Sequence, residues 1–139
     1  MVETLAPVPD NHCFGCGGSN PHGLHLSFDL DHELRQVRGQ FRLPADYQGS
    51  HGILHGGIIA LLLDEAMGKL TRLHHVRAVT AELSIEYLRP IAAGENIAIT
   101  AREQAHEGRN LHFEAEIRNA DGQALARGHG RFVVIGQRL

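Results

Sequence analysis

The segment HGGIIALLLDEA, residues 55–66, carries the residue types whose spacing is best suited to chemistry. Gly56 and Gly57 begin a run of strong helix formers. The first turn of a helix has unpaired N–H groups and a partial positive charge, which would stabilise a carbonyl oxygen that becomes negative during a reaction. The two glycines could equally serve only a tight turn into the helix, and the sequence leaves both interpretations open.

Asp64 follows an uninterrupted apolar run, residues 58–63. A carboxylate buried in the middle of a helix is costly unless it is paired or used in chemistry. The alternative is that the helix emerges here and that Asp64 and Glu65 simply face water. Asp64 lies roughly 10–12 Å along one helix from Gly56 and Gly57, so one carbonyl cannot contact both groups of the same helix. If the groups share a site, Asp64 must come from a neighbouring subunit, and the sequence then predicts an obligate homodimer.

A Cys-x-x-Cys near the start of the chain, Cys13 and Cys16, is the second candidate site. Together with His22 and His25 it could supply the four ligands of a zinc site. We favour a structural role, because His25 falls inside a strand pattern and the cysteines do not open a helix in a βαβ unit, as a redox pair would. We therefore predict neither a metal nor a cofactor.

The composition is that of an ordinary globular domain and excludes several classes of function. The chain has 139 residues and a formal net charge of −3, so it lacks the basic footprint of a nucleic-acid-binding protein. Its longest apolar run is too short to cross a bilayer, and its first residues lack the pattern of a signal peptide. Two cysteines do not make a disulfide framework. We expect a cytoplasmic protein with no membrane partner.

The elements that must position these residues follow from the apolar periodicity. Residues 1–23 are rich in Pro, Gly, Asn and His and are predicted to form an arm, with a single domain over 24–139. A helix is predicted over residues 56–73. Strand patterns cover 24–30, 36–43, 78–90, 95–108, 109–119 and 123–135. In the third of these, alternation puts Ala81, Leu83, Ile85 and Tyr87 on one face and Thr80, Glu82, Ser84 and Glu86 on the other.

Short turns between strands favour an antiparallel sheet, and the apolar helix can bury its surface only against that sheet. The sequence thus predicts an α+β fold in which a curved antiparallel sheet wraps around one long central helix. HGGIIALLLDEAMG, followed by TAELSIEYLRPI, resembles the hot-dog-fold acyl-CoA thioesterases, in particular the PaaI-like and THEM4-like groups. The resemblance covers about residues 12–135. It implies hydrolysis of an acyl-CoA thioester to the free acid and coenzyme A, with coenzyme A as part of the substrate.

The resemblance also implies roles for individual residues. Gly56, at the start of the glycine pair with Gly57, matches the glycine whose amide polarises the thioester carbonyl. Asp64 matches the acidic residue that acts as general base or as nucleophile. Thr80 falls on the Ser/Thr position that orients the water or the carboxylate, and His55 matches the histidine next to the oxyanion site.

The sequence departs from the family at Gly49, where many members have an Asn or Gln six residues before the histidine. Ser50 and His51 are candidates to replace that side chain. Arg89, Arg109 and Arg131 are candidates to bind the phosphates of coenzyme A, although each could also be a solvated surface residue.

Two rival functions remain, a hydroxyacyl-thioester dehydratase using His55 and Asp64 and a non-catalytic acyl-CoA-binding module. Pairing of dimers into tetramers is also open.

The segment that contains both cysteines, CFGCGGSNPHGL, resembles an N-terminal signature of many hot-dog proteins. It implies an ordered arm whose Phe14, cysteines and glycines pack tightly against the fold.

Overall fold

The computed structural model describes residues 1–138. It contains seven strands, one α-helix and two short 3-10 segments. The strands are β1 (Val2–Leu5), β2 (Phe28–Asp31), β3 (Gln36–Arg42), β4 (Val76–Tyr87), β5 (Asn96–Glu107), β6 (Asn110–Asn119) and β7 (Ala124–Gln137). The helix α1 spans Gly56–Lys69, and the 3-10 segments span Ala45–Tyr47 and Leu70–His74.

All seven strands form one antiparallel sheet in the order β1-β2-β3-β5-β6-β7-β4. α1 packs against every strand from β2 to β7. Six strands span roughly 24 Å when laid flat, about twice the width of a helix, so the sheet must curve around α1 to reach it. This is the predicted α+β hot-dog architecture, and the prediction of the fold class is confirmed.

The core lies between α1 and the inner face of the sheet. Leu62, Leu63, Ala66 and Met67 of α1 are completely buried. Gly128 and Gly130 of β7 lack a side chain where the helix residues Leu63 and Met67 lie against the strand, and this lets the helix approach closely. A Cβ on Gly130 would lie 3.3 Å from the end of the Met67 side chain and 2.7 Å from the ring of Phe132. Because the apolar residues before Asp64 pack against the sheet, they set how closely α1 approaches it. They thereby also set the position of Asp64, which follows them on the helix.

Three element boundaries differ from the sequence prediction. The α-helix ends at Lys69 and tightens into a 3-10 segment instead of continuing to residue 73. The first predicted strand, 24–30, forms only over Phe28–Asp31. β1 pairs with β2 and lies in the region predicted as an arm. Four residues of mixed polarity, Val2–Leu5, offer too little alternation for a pattern to reveal a strand.

β4 contains a β-bulge that alters which side chains face the helix. Thr80 pairs with Phe132 and Glu82 with Arg131, so Ala81 is an extra residue without a partner on β7. The strict alternation predicted for residues 78–90 is therefore wrong. Thr80 turns toward α1, although the prediction put it on the face opposite Ile85 and Tyr87, which also contact the helix side.

None of the helices in residues 1–138 combines the length and the apolar character needed to span a bilayer.

Candidate active site

Asp64 and Thr80 meet where the middle of α1 faces the edge strand β4. The Thr80 hydroxyl donates to Asp64 Oδ1 at 2.7 Å. Both side chains line a cavity of about 340 Å³ with Gly68 and Phe132. The buried residues before Asp64 hold this face of the helix against the interior. The β-bulge turns the Thr80 side chain toward the same face. The carboxylate is thus oriented and still reaches open space.

The electrostatic surroundings of Asp64 suit a base. Burial raises the pKa of the Asp64 carboxyl above its ordinary value, and the negative charge of Glu65 adds to the rise. The Thr80 hydroxyl opposes this, because its hydrogen bond favours the ionised carboxylate. The net effect is a raised pKa, which makes the carboxylate a stronger proton acceptor than an exposed aspartate.

His55 caps the N-terminus of α1. Its Nδ1 accepts the N–H of Gly57 at 2.9 Å, so the neutral ring carries its proton on Nε2. The His55 carbonyl accepts the N–H groups of Ile58 and Ile59. Within residues 1–138, the Gly56 N–H has no such partner. Of the two predicted glycines, Gly56 therefore presents the free amide, whereas the amide of Gly57 is already engaged.

Tyr87 lies at this end of the helix, and no role in the site was predicted for it from the sequence. Its hydroxyl donates to the Gly56 carbonyl at 2.8 Å, and its ring covers the Gly56 Cα. The contact ties the end of β4 to the first turn of α1. Its sequence signal was Tyr87-Leu88-Arg89-Pro90 at the end of the Thr80 strand, which marks the tyrosine without revealing its partner.

Gln48, which the sequence did not single out, carries a side-chain amide one residue before Gly49. Gln48 lines an open cavity of about 390 Å³ at the helix N-terminus, together with His55, Gly57 and Ile58. Ser50 and His51 lie in the exposed turn that follows, where His51 adopts a left-handed conformation with φ 55°. The geometry favours Gln48 over these two candidates as the side chain beside the helix terminus.

The three arginines predicted to bind phosphate differ in whether their guanidinium groups already make hydrogen bonds within the protein. Arg109 donates through Nε and Nη to the Val134 carbonyl, at 3.1 and 2.8 Å. Arg131 contacts Glu82 at 2.6 Å and Asn110 at 3.0 Å. Arg89 is exposed in the loop after β4. Arg109 and Arg131 thus hold the sheet together, and none of the three lines the Asp64 cavity.

The N-terminal cysteines lie against α1 next to Asp64. Cys13 Sγ lies 3.5 Å from Glu65 Oε1, and burial raises the pKa of the Cys16 thiol to about 11. Both cysteines are free. A Cβ on Gly15 would lie 2.5 Å from the Glu65 carboxyl carbon, so a larger residue there would push the Glu65 side chain aside. Phe14 departs from the expected tight packing, since 41% of its surface is exposed.

The zinc ligand set considered from the sequence is not assembled. Within residues 1–138, Cys13 and Cys16 group with Glu65, whereas His22 and His25 belong to no potential metal cluster. His25 instead contacts the Asn20 carbonyl.

Comparisons with known proteins identify relatives of this fold. The fold matches the crystal structure of a thioesterase superfamily protein with a TM-score of 0.80 and 33% identity, over 88% of this chain and 60% of that one. It also matches a Streptococcus mutans protein bound to acetyl coenzyme A, with a TM-score of 0.72 and 24% identity, over 75% and 84% of the two chains. The second likeness, at this low identity, speaks for the fold alone.

Residues 51–126 match the family model of the thioesterase superfamily, and the chain belongs to that family. Among curated proteins, it is 33% identical over 78 residues to the acyl-coenzyme A thioesterase THEM4 of Bos taurus. The match takes in 56% of this chain and 32% of THEM4, so the chain spans about a third of that relative's length. The predicted membership of the hot-dog thioesterases is confirmed.

Proposed function

We propose that the protein hydrolyses acyl-CoA thioesters, with Asp64 of one subunit and the Gly56 amide of the partner subunit in a shared site. The observation that carries the proposal is the Asp64–Thr80 hydrogen bond, which orients a carboxylate of raised pKa at the wall of a cavity. The name of the relative THEM4 supports acyl-CoA as the substrate class. Coenzyme A enters as part of the substrate.

The dimer follows from distance and from the exposed edge of the sheet. Gly56 and Asp64 lie eight residues apart on α1, roughly 12 Å along the axis, and Gly56 does not line the Asp64 cavity. β4 is a twelve-residue edge strand whose Val79 and Leu83 are 50% and 38% exposed. Long apolar edges are seldom left uncovered, and the β4 strand of a second copy would cover this one. A two-fold axis there brings the helices side by side in opposite directions.

The reaction then needs two groups. The ionised Asp64 takes a proton from water as the water attacks the thioester carbonyl, or attacks that carbonyl itself to form an anhydride that water opens. In either route the carbonyl oxygen gains negative charge, and the Gly56 N–H donates to it. The C–S bond breaks, coenzyme A leaves as the thiolate and is protonated, and the acid is released.

A thiol-release assay on a panel of acyl-CoA thioesters tests the activity, and subunit mixing tests the shared site. Asp64→Asn and Gly56→Pro should each be inactive alone. Refolded together, they form heterodimers with one intact site, and roughly a quarter of wild-type activity should return. If the mixture stays inactive while heterodimers form, the shared site is rejected.

The same assay separates the rival functions. A binding module would release no thiol from any thioester, and Asp64→Asn would leave its affinity unchanged. A dehydratase would convert a hydroxyacyl-CoA to the enoyl product without releasing thiol. Its histidine would need a free nitrogen acting as base, whereas His55 Nδ1 is already occupied by the Gly57 N–H.

A further inference from the structure

Three arginines converge beyond the C-terminal end of α1. Arg72 lies in the 3-10 segment that follows the helix, Arg77 near the start of β4 and Arg138 after the end of β7. Arg77 pairs with Gly136 across the two strands, and its guanidinium lies over that glycine. Burial and the positive charges of Arg72 and Arg77 lower the pKa of Arg138, so the three groups share one region of positive potential. We call them the arginine cluster.

Among residues 1–138, the positive charge of the arginine cluster is not balanced by a nearby carboxylate. Arg72 Nε is buried without a hydrogen-bond partner. Within the described residues 1–138, no carboxylate lies at ion-pair distance from any of the three guanidinium groups, although nine ion pairs form elsewhere. Buried donors without partners are rare in native proteins, because each carries a desolvation cost that nothing repays. An anion would remove both the repulsion and the unmet donor.

The position of the cluster connects it to the candidate active site. Arg72 and Arg138 line the same cavity as Asp64 and Thr80. Eight residues separate Asp64 from Arg72, which corresponds to roughly 12–14 Å along the helix and its 3-10 extension. A thioester held at Asp64 can therefore extend an arm of that length toward the guanidinium groups.

We propose that the arginine cluster binds an anionic group of the thioester substrate, at the end of the cavity away from Asp64. The inference rests on the proposed function, since it takes Asp64 as the reacting end. The anion is a phosphate of the coenzyme A part or a carboxylate at the far end of the acyl group. Guanidinium groups bind both kinds of anion with paired N–H donors.

Four substrates distinguish the two sources. A neutral acyl group and a dicarboxylic acyl group are each supplied on coenzyme A and on pantetheine, which lacks the phosphates. In the double variant Arg72→Gln/Arg138→Gln, a phosphate source predicts a KM roughly 10–100-fold higher for both CoA thioesters and unchanged for both pantetheine thioesters. A carboxylate source predicts the same rise for both dicarboxylic substrates and none for the neutral ones. In both cases kcat changes little.

Arg38→Gln provides the matched control, because Arg38 is an exposed arginine of β3 whose guanidinium contacts Gln36. It should leave all four KM values unchanged. Equal KM values in the double variant and in the control, for every substrate, would overturn the proposal.

Calorimetric titration keeps this proposal separate from that of hydrolysis, because binding needs no turnover. Wild-type protein should bind coenzyme A or the free dicarboxylic acid, and the double variant should bind the same ligand at least tenfold more weakly. If wild type binds in this way but hydrolyses no thioester, the cluster stands and the proposed activity fails. If neither ligand distinguishes the double variant from wild type, the cluster has no such role.

Discussion

The hydroxyl of Thr80 on the edge strand and the carboxylate of Asp64 on the central helix are joined by a 2.7 Å hydrogen bond. Two opposing effects meet at this contact. Burial favours the neutral carboxyl group, whereas the hydroxyl favours the ionised one, and burial is the larger effect. The pair therefore sets both the orientation of the carboxylate and the pH at which it ionises.

Asp64→Asn should abolish hydrolysis and stabilise the fold. Loss of a general base costs about 10²–10⁴-fold in kcat. The pKa of Asp64 is higher in the folded than in the unfolded chain, so its favourable contribution is complete at acid pH and is lost as pH rises past the unfolded value. At neutral pH the variant should therefore melt a few degrees higher, and the difference should vanish in acid. A lower Tm than wild type at pH 7 would contradict this account of the burial.

Thr80→Ala should move the pH profile of kcat/KM. Removing the hydroxyl takes away the hydrogen bond that lowers the pKa of Asp64. The acid limb of the profile should shift to higher pH, and the rate at acid pH should fall more than the rate at the plateau. Thr80→Ser retains the hydroxyl and should keep the wild-type limb. If both variants shift equally, the methyl group matters and not the hydrogen bond.

Gly56→Pro removes one hydrogen atom from the proposed oxyanion site. Proline suits the first helical position, where the N–H makes no helical bond, and His55 at φ −61° and ψ 135° is already in the conformation favoured before proline. We expect kcat to fall about 10²–10³-fold with Tm nearly unchanged. Gly56→Ala keeps the amide and places its Cβ 3.4 Å from the Tyr87 hydroxyl, so most activity should remain. Equal losses in both variants would point to crowding instead.

Gly15→Ala should destabilise the N-terminal segment that packs on α1. The added Cβ would lie 2.5 Å from the Glu65 carboxyl group. This group ends a flexible side chain, which can swing aside at the expense of its contact with Cys13, so the expected cost is at most about 1 kcal/mol. Urea unfolding measures the loss. Shortening the neighbour in Gly15→Ala/Glu65→Ala should restore part of it, and a double-mutant cycle isolates the coupling. Strictly additive losses would show that Gly15 is needed for another reason.

Cys16 should resist alkylation until strongly alkaline pH. Burial raises the pKa of its thiol to about 11, and only the thiolate reacts. In Cys13→Ser protein, the rate of reaction with iodoacetamide should rise toward pH 11 when folded and near pH 9 in urea. Because the pKa of the Cys16 thiol is higher in the folded than in the unfolded chain, the contribution of Cys16 to the free energy of unfolding is complete below pH 9 and is lost as pH rises toward 11. Rapid labelling of the folded protein at pH 8 would contradict the burial.

The sequence was sufficient for the elements that carry a long periodic signal. The apolar run of α1 and the alternation of β5 to β7 predicted a helix wrapped by an antiparallel sheet, and Asp64 stood out because a charge interrupts that run. Contacts between distant segments were not accessible. Nothing local indicates that the Tyr87 hydroxyl reaches Gly56, or that His55 occupies the amide of Gly57 and leaves that of Gly56 free.

In the cysteine segment, residue types alone suggest chemistry that the prediction of a structural role set aside. The Cys-x-x-Cys spacing is typical of metal-binding and redox sites. Whether a cysteine is reactive, however, depends on its burial and on the charges around it, and these are known only once the chain is folded. Burial, with a smaller contribution from the charge of Glu65, raises the pKa of the Cys16 thiol and keeps it protonated. The arginine cluster was likewise invisible, because Arg72, Arg77 and Arg138 are isolated in the sequence and become neighbours only when the helix end, β4 and the last strand meet.

The extra residue at Ala81 marks a place where the length of this chain can vary. With the bulge, Thr80 and Tyr87 face α1 from the same strand despite their odd spacing. Deleting Ala81 would restore regular pairing and leave the two residues an even number of positions apart, so both side chains would still face the helix. A chain shorter by this one codon could therefore keep both ends of the site, whereas regular pairing at the present length would turn one of the two side chains away.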